Sequence, residues 1–217
     1  MFYQPVQYSD RHFARETLYT EIDWTKLMSI VPAFKDRIED WYIVPARALA
    51  TDWHNAFSVA ALDCLLIDTL AQFEKGLPQS ESGVFINYVK NKLPQFAAAL
   101  PSNIRRNGKA DITTPAEALY FGFRCGILHE AHIAPYCQVL GESRIVRVEP
   151  IGVTKYADGS DCCAVVLDPM ELLLALEPIF NTYIENLLCP SARHDPLRVA
   201  FKKKFKASFG IDIDAAT

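Results

Sequence analysis

Apolar positions recur mostly at the three- and four-residue spacing of amphipathic helices, and in one stretch the period drops to two. The pattern predicts a helix from Trp24 to Ala50, broken at Pro32 and bent by Pro45, because proline removes a backbone donor and crowds the preceding turn. The next run, TDWHNAFSVAALDCLLIDTLAQFEKG, predicts a helix capped by Thr51 and ended by Gly76 in the left-handed conformation. From Val59 to Leu70 it is apolar almost all round, which marks the central buried helix of a bundle. A shorter amphipathic helix covers Val84 to Leu93 and stops at Pro94. PSNIRRNGKADITT then reads as an exposed loop carrying Arg105, Arg106 and Lys109.

Two helix starts are strongly marked. Thr114-Pro115-Ala116-Glu117 is a capping box with proline at the first helical position, and the helix it opens should run to about His132. Asp168-Pro169-Met170-Glu171 opens the last long helix in the same way, with a kink expected near Pro178. Between them, Arg144 to Leu167 alternates with period two around a turn at Asp158-Gly159, so a small antiparallel β-hairpin is expected at about 144–167. The expected fold is mainly α: one helical domain over residues 1–190 with that β insertion before the last long helix, then a basic C-terminal tail at 191–217.

Composition narrows the functional classes. With 217 residues, 50% hydrophobic and 22% charged, the chain can bury a sizeable core, which excludes disorder and a disulfide-stapled miniature scaffold. No window approaches the roughly 18 uninterrupted apolar residues of a membrane span, and the start MFYQPVQYSDRHFARE lacks a secretory pattern. A cytoplasmic protein without membrane contact is therefore expected. The six cysteines form no C-x-x-C pair and Cys64 sits in an apolar helical run, as reduced thiols would. A net charge of −4 argues against a surface that coats nucleic acid throughout. The charge is uneven, however: from Arg198 onward five basic residues face Asp212 and Asp214, so that end carries +3 and the rest −7. In FKKKFKASFG, Phe201, Phe205 and Phe209 recur every four residues with Lys202, Lys203 and Lys204 among them. This fits either a docked helix with a solvated lysine face or a contact for RNA or another polyanion.

The candidate chemistry lies in PAEALYFGFRCGILHEAH. On a straight helix Leu119, Tyr120, Phe123 and Ile127 share the core-facing arc. Arg124 and His129 diverge by about 140° and flank a second apolar arc holding Phe121, Cys125 and Leu128. A second apolar face needs a partner, and a symmetric homodimer is the commonest supplier. Two copies would bring two arginines and two histidines into one cleft. Imidazole transfers protons near neutral pH and guanidinium offsets charge on phosphate oxygens, so the set suits cleavage of an RNA phosphodiester. Asp63 and Asp68 interrupt the central apolar run, where an unpaired carboxylate is costly; one of them is expected to hold Arg124 or His129, as a structural pair or as the orienter of a catalytic group. His129-Glu130-Ala131-His132 spaces its histidines three apart, unlike the four of H-E-x-x-H, so no metal and no cofactor is expected.

Arg124-Cys125-Gly126-Ile127-Leu128-His129 resembles the R-x(4–6)-H motif of the HEPN superfamily (higher eukaryotes and prokaryotes nucleotide-binding), and its setting late in a helical bundle is similar too. The resemblance implies a HEPN-like bundle that dimerises through the motif helix. It also implies a metal-independent endoribonuclease of the toxin–antitoxin, abortive-infection or antiviral kind, with RNA or a nucleotide as ligand and an antitoxin as possible partner. Arg124 would stabilise phosphate charge and His129 would act as general acid or base, with Asp63, Asp68 and Cys125 in support and Arg105, Arg106, Lys109, Lys202, Lys203 and Lys204 contacting RNA. Nuclease members often carry a polar residue where this chain has Cys125. A non-catalytic nucleotide- or RNA-binding or dimerisation module of the same type is the alternative.

Overall fold

In the computed structural model, which describes residues 11–106, 109–155 and 161–213, the chain is mainly helical with two small sheets. The break expected at Pro32 does not occur, because α1 (Leu27–Ile38) runs through it. The irregularity comes later, at Glu39–Ile43, where the helix widens into i→i+5 bonding before α2 (Val44–Leu49). Pro45 explains the position: it has no N–H to offer the carbonyl four residues back, at Trp41.

Asp52 rather than Thr51 prepares the central helix. Its carboxylate accepts from the His54 backbone N–H at 3.0 Å and starts a short turn, whereas the Thr51 hydroxyl donates to the Ala48 carbonyl. α3 (Ala56–Lys75) follows and ends at Gly76, whose φ is +66°. The stretch Trp53–Lys75 is long and apolar enough by composition to cross a bilayer, yet 61% of its most apolar window is buried in the bundle, so core packing accounts for its hydropathy.

After α4 (Ser82–Lys92), the segment expected as a loop is a hairpin of β1 (Ile104–Arg106) and β2 (Lys109–Ile112), with Ile104 opposite Ile112 and both buried. The sequence does carry a hairpin signal, Asn107-Gly108, at two positions that lie outside the described residues. The helix opened by the Thr114 capping box comprises α5 (Pro115–Ala118), a wide i→i+5 turn at Leu119–Arg124, and α6 (Cys125–Glu130). In the box the Glu117 N–H donates to Thr114 Oγ1 at 3.4 Å, and Glu117 Oε2 accepts from the Thr114 N–H at 3.3 Å.

The period-two stretch forms a three-stranded sheet of order β3-β5-β4, made by β3 (Cys137–Val139), β4 (Val146–Lys155) and β5 (Asp161–Leu167). β4 and β5 pair antiparallel, as expected, and β3 adds a parallel edge; the Asp158-Gly159 turn lies outside the described residues. The sheet is not an appendage, since Cys163, Val165 and Leu167 of its middle strand belong to the main core. Asp168 then caps α7 (Pro169–Leu188) through the Met170 and Glu171 N–H groups, and the helix continues through Pro178. In α8 (Asp195–Phe209) the basic tail takes the docked-helix form of its two readings. Phe201 and Phe205 are fully buried in the core, so this segment is a member of the bundle. α3 is the hub, packed by α2, α4, the Leu119–Arg124 turn, α7 and α8.

Candidate functional site

The wide turn ends at Arg124, where the regular helix of the motif begins. Five-residue bonding rotates the chain less per residue than an α-helix does, and it closes with the Cys125 N–H on the Tyr120 carbonyl. Arg124 and His129 stand about 140° apart around the helix, yet their long side chains meet, with Arg124 Nη1 3.2 Å from His129 Nε2. A guanidinium only donates, so the contact assigns a bare Nε2 and places the proton of a neutral His129 on Nδ1.

Arg124 Nη2 donates to Asp68 Oδ2 at 2.8 Å, and Asp68 Oδ1 accepts from the Ser80 hydroxyl at 2.6 Å. The pair is largely withdrawn from water, its side chains 13% and 9% exposed, while His129 lies at the surface. Partial burial works against the charge on Arg124, and the Asp68 bond outweighs it, so the guanidinium holds its proton more tightly than usual. The Tyr120 ring lies 5.6 Å from the guanidinium carbon. Partial burial raises the Tyr120 phenol, which is bonded to half-buried Cys125. The result is a line, Ser80 to Asp68 to Arg124 to His129, that runs from α3 and its following loop to the protein surface.

Asp63 does not join this line. It is fully buried, neither carboxyl oxygen has a hydrogen-bond partner among the described residues, and desolvation pushes it well above the usual carboxylate range. Of the two aspartates, only Asp68 reaches the motif.

The second apolar face is mostly covered from within the chain. After Ala131, which takes the left-handed conformation with φ +53°, the backbone turns back across the helix. Ala134 N–H donates to the Gly122 carbonyl at 3.0 Å and His132 N–H to the Gly126 carbonyl at 3.3 Å. Contact is close enough that a Cβ on Gly122 would lie 2.3 Å from Cys137 Sγ, and one on Gly126 2.4 Å from the His132 carbonyl oxygen. Phe121 lies under Arg106, whose guanidinium carbon is 4.0 Å from the ring centroid. Leu128, 36% exposed, is what remains of the face from which a homodimer is expected.

The basic residues divide. Arg106 docks the β1–β2 hairpin onto the motif helix through Phe121, and Arg105 and Lys109 lie exposed on the same hairpin. Lys202 is half-buried and Lys203 exposed on α8. Lys204 is not on a solvated face: it is buried and donates to Gln72 Oε1 at 2.7 Å and the Pro78 carbonyl at 3.0 Å. His132 is exposed with Nδ1 3.4 Å from Glu130 Oε2, and among the described residues no three His, Cys, Asp or Glu side chains converge as a metal set.

No family model, no curated protein and no solved structure matches the chain. The site therefore rests on its own geometry. Sequence reasoning missed Ser80, which sits in a polar loop with no distinguishing signal, and the Gly122/Gly126 crossing, which the G-x-x-x-G spacing inside the motif helix marks.

Proposed function

We propose that the protein is a metal-independent endoribonuclease of HEPN type, acting through Arg124 and His129. The observation that carries this reading is the contact between a partly buried arginine, fixed by Asp68, and a surface histidine whose Nε2 lone pair it holds ready. An RNA phosphate entering the site would take the Arg124 donor and release Nε2. His129 would then accept the ribose 2′-hydroxyl proton while the 2′ oxygen attacks phosphorus. Arg124 would neutralise charge gathering on the non-bridging oxygens. Expulsion of the 5′ oxygen, protonated by an imidazolium, leaves a 2′,3′-cyclic phosphate and a 5′-hydroxyl. In the dimeric form of the proposal, that imidazolium is the same histidine of a second copy, brought in across exposed Leu128. Arg106, beside the motif helix, and the neighbouring Arg105 and Lys109 would track the RNA backbone without reading its sequence.

The reading is tested by incubating the full chain with structured and single-stranded RNA in EDTA. Cleavage with cyclic-phosphate ends, lost in His129→Ala, supports it; cleavage that survives His129→Ala overturns it. Asp68 favours a second reading, because its carboxylate already neutralises Arg124: a non-catalytic RNA- or nucleotide-binding module of the same type. Retained RNA binding with no cleavage across varied RNAs would select that one.

A further inference from the structure

We propose that the protein binds a phosphate group in a small cavity between α1, α3 and α8, a site that shares no residue with the Arg124–His129 pair. The cavity measures about 190 Å³, and its lining includes Arg37 and Trp41, Thr69 and Gln72, and Lys204 and Ser208. Each helix thus presents side chains about one turn apart to the same space.

Two of these residues are cations, Lys204 buried and Arg37 partly buried, that pair with no carboxylate among the described residues. Lys204 is 7% exposed, and both its bonding partners, Gln72 Oε1 and the Pro78 carbonyl, are neutral. Arg37 lies over Trp41 with its guanidinium carbon 3.4 Å from the ring centroid, and donates to the Phe13 carbonyl, also neutral. Asp68 is the carboxylate whose field reaches Lys204, but its oxygens are taken by Arg124 and Ser80. Burial pulls both basic groups below their ordinary values.

Amide and carbonyl partners satisfy the protons of a buried cation but do not offset its charge, and an uncompensated buried charge is costly. A bound anion supplies what the fold leaves out. The polar part of the lining suits a tetrahedral oxyanion: a guanidinium, an ammonium and the Thr69 and Ser208 hydroxyls border the same space, with Phe34, Ile38 and Phe73 making up its apolar side. A phosphomonoester carries about −1.5 to −2 at neutral pH, which matches two cations where a carboxylate would match one. The cavity has room for a phosphate. An organic substituent would leave past Trp41, which is 45% exposed at the rim.

The test is thermal unfolding of the full chain with inorganic phosphate, with phenyl phosphate, and with sodium chloride at matched ionic strength. A saturable rise in Tm with either phosphate, about 5–10 °C at one hundred times its Kd and absent with chloride, is expected. Tighter binding of phenyl phosphate would identify an esterified rather than a free phosphate. Lys204→Met should weaken binding at least tenfold. Because that change also removes two bonds of the fold, Ser208→Leu provides an independent check: it fills the cavity from an exposed position and should abolish the phosphate effect while leaving the ligand-free Tm unchanged. No phosphate effect beyond the chloride control, or one that persists in both variants, overturns the proposal. RNA takes no part in the assay, so its outcome is separable from that of the nuclease reading.

Discussion

Asp68 and Arg124, 56 positions apart in sequence, are joined at 2.8 Å, and this bond fixes the motif helix to the central helix at the point where its wide turn ends. Asp68→Asn keeps the shape and removes the charge, leaving a partly buried guanidinium without its counter-ion. The expected loss of stability is about 1–3 kcal/mol by urea denaturation, below that of a fully buried pair because some solvent reaches both groups. No loss would mean that Arg124 finds compensation elsewhere.

Arg124→Lys separates charge from shape. A lysine can reach Asp68 as a point charge but cannot also hold His129 Nε2 in the same plane. The variant should fold with stability within about 1 kcal/mol of the parent, whereas RNA cleavage should fall by about a hundredfold or more. His129→Ala, at a surface position, should change stability by less than about 0.5 kcal/mol, so any activity it loses is not lost through unfolding.

Gly126→Ala drives a methyl group onto the His132 carbonyl oxygen, and Gly122→Ala drives one onto Cys137 Sγ and the Tyr136 ring. Each should destabilise by about 2 kcal/mol or more, since backbone and a buried thiol cannot step aside. Gly83→Ala is the control: nothing lies within 4 Å of the new methyl on α4, and it should raise stability by about 0.5–1 kcal/mol. Melting temperatures of the three variants read this directly.

Asp63 ties stability to pH. Burial makes its carboxyl hold its proton to higher pH in the folded core than in the unfolded chain, where it ionises near pH 4, so folding favours the protonated form. The stability it contributes is therefore present in full below about pH 4 and is lost as pH rises towards its folded value. Asp63→Asn removes that slope. Measured by urea denaturation, the variant should gain on the parent as the pH rises from 5 to 7; an equal difference at both values would show that Asp63 is charged when folded.

Much of the fold is legible in the chain because its signals are local. The Thr114–Glu117 box, Gly76, the Asp168 cap and the all-round apolarity of α3 each act through groups a few residues apart, and each sets an element where it is expected. The prolines are less legible. Pro32 is absorbed inside α1, whereas Pro45 displaces its effect into the wide turn before it, and tertiary packing decides which outcome holds. Likewise the isoleucines of the β1–β2 hairpin form strands because each finds the core, which a polar, proline-flanked sequence does not reveal.

By itself, the sequence determined which residues could carry chemistry and that the motif helix would be amphipathic on two sides. Only the tertiary structure decided how those residues meet. It brought the Arg124 side chain onto His129, chose Asp68 over Asp63 as the partner, covered the second face with the chain's own return across Gly122 and Gly126, and buried Lys204 beside a cavity. The physical reason is the same each time. Helical period and caps are set by neighbours along the chain, whereas the state of a charge depends on what is packed against it, and those groups come from segments many residues away.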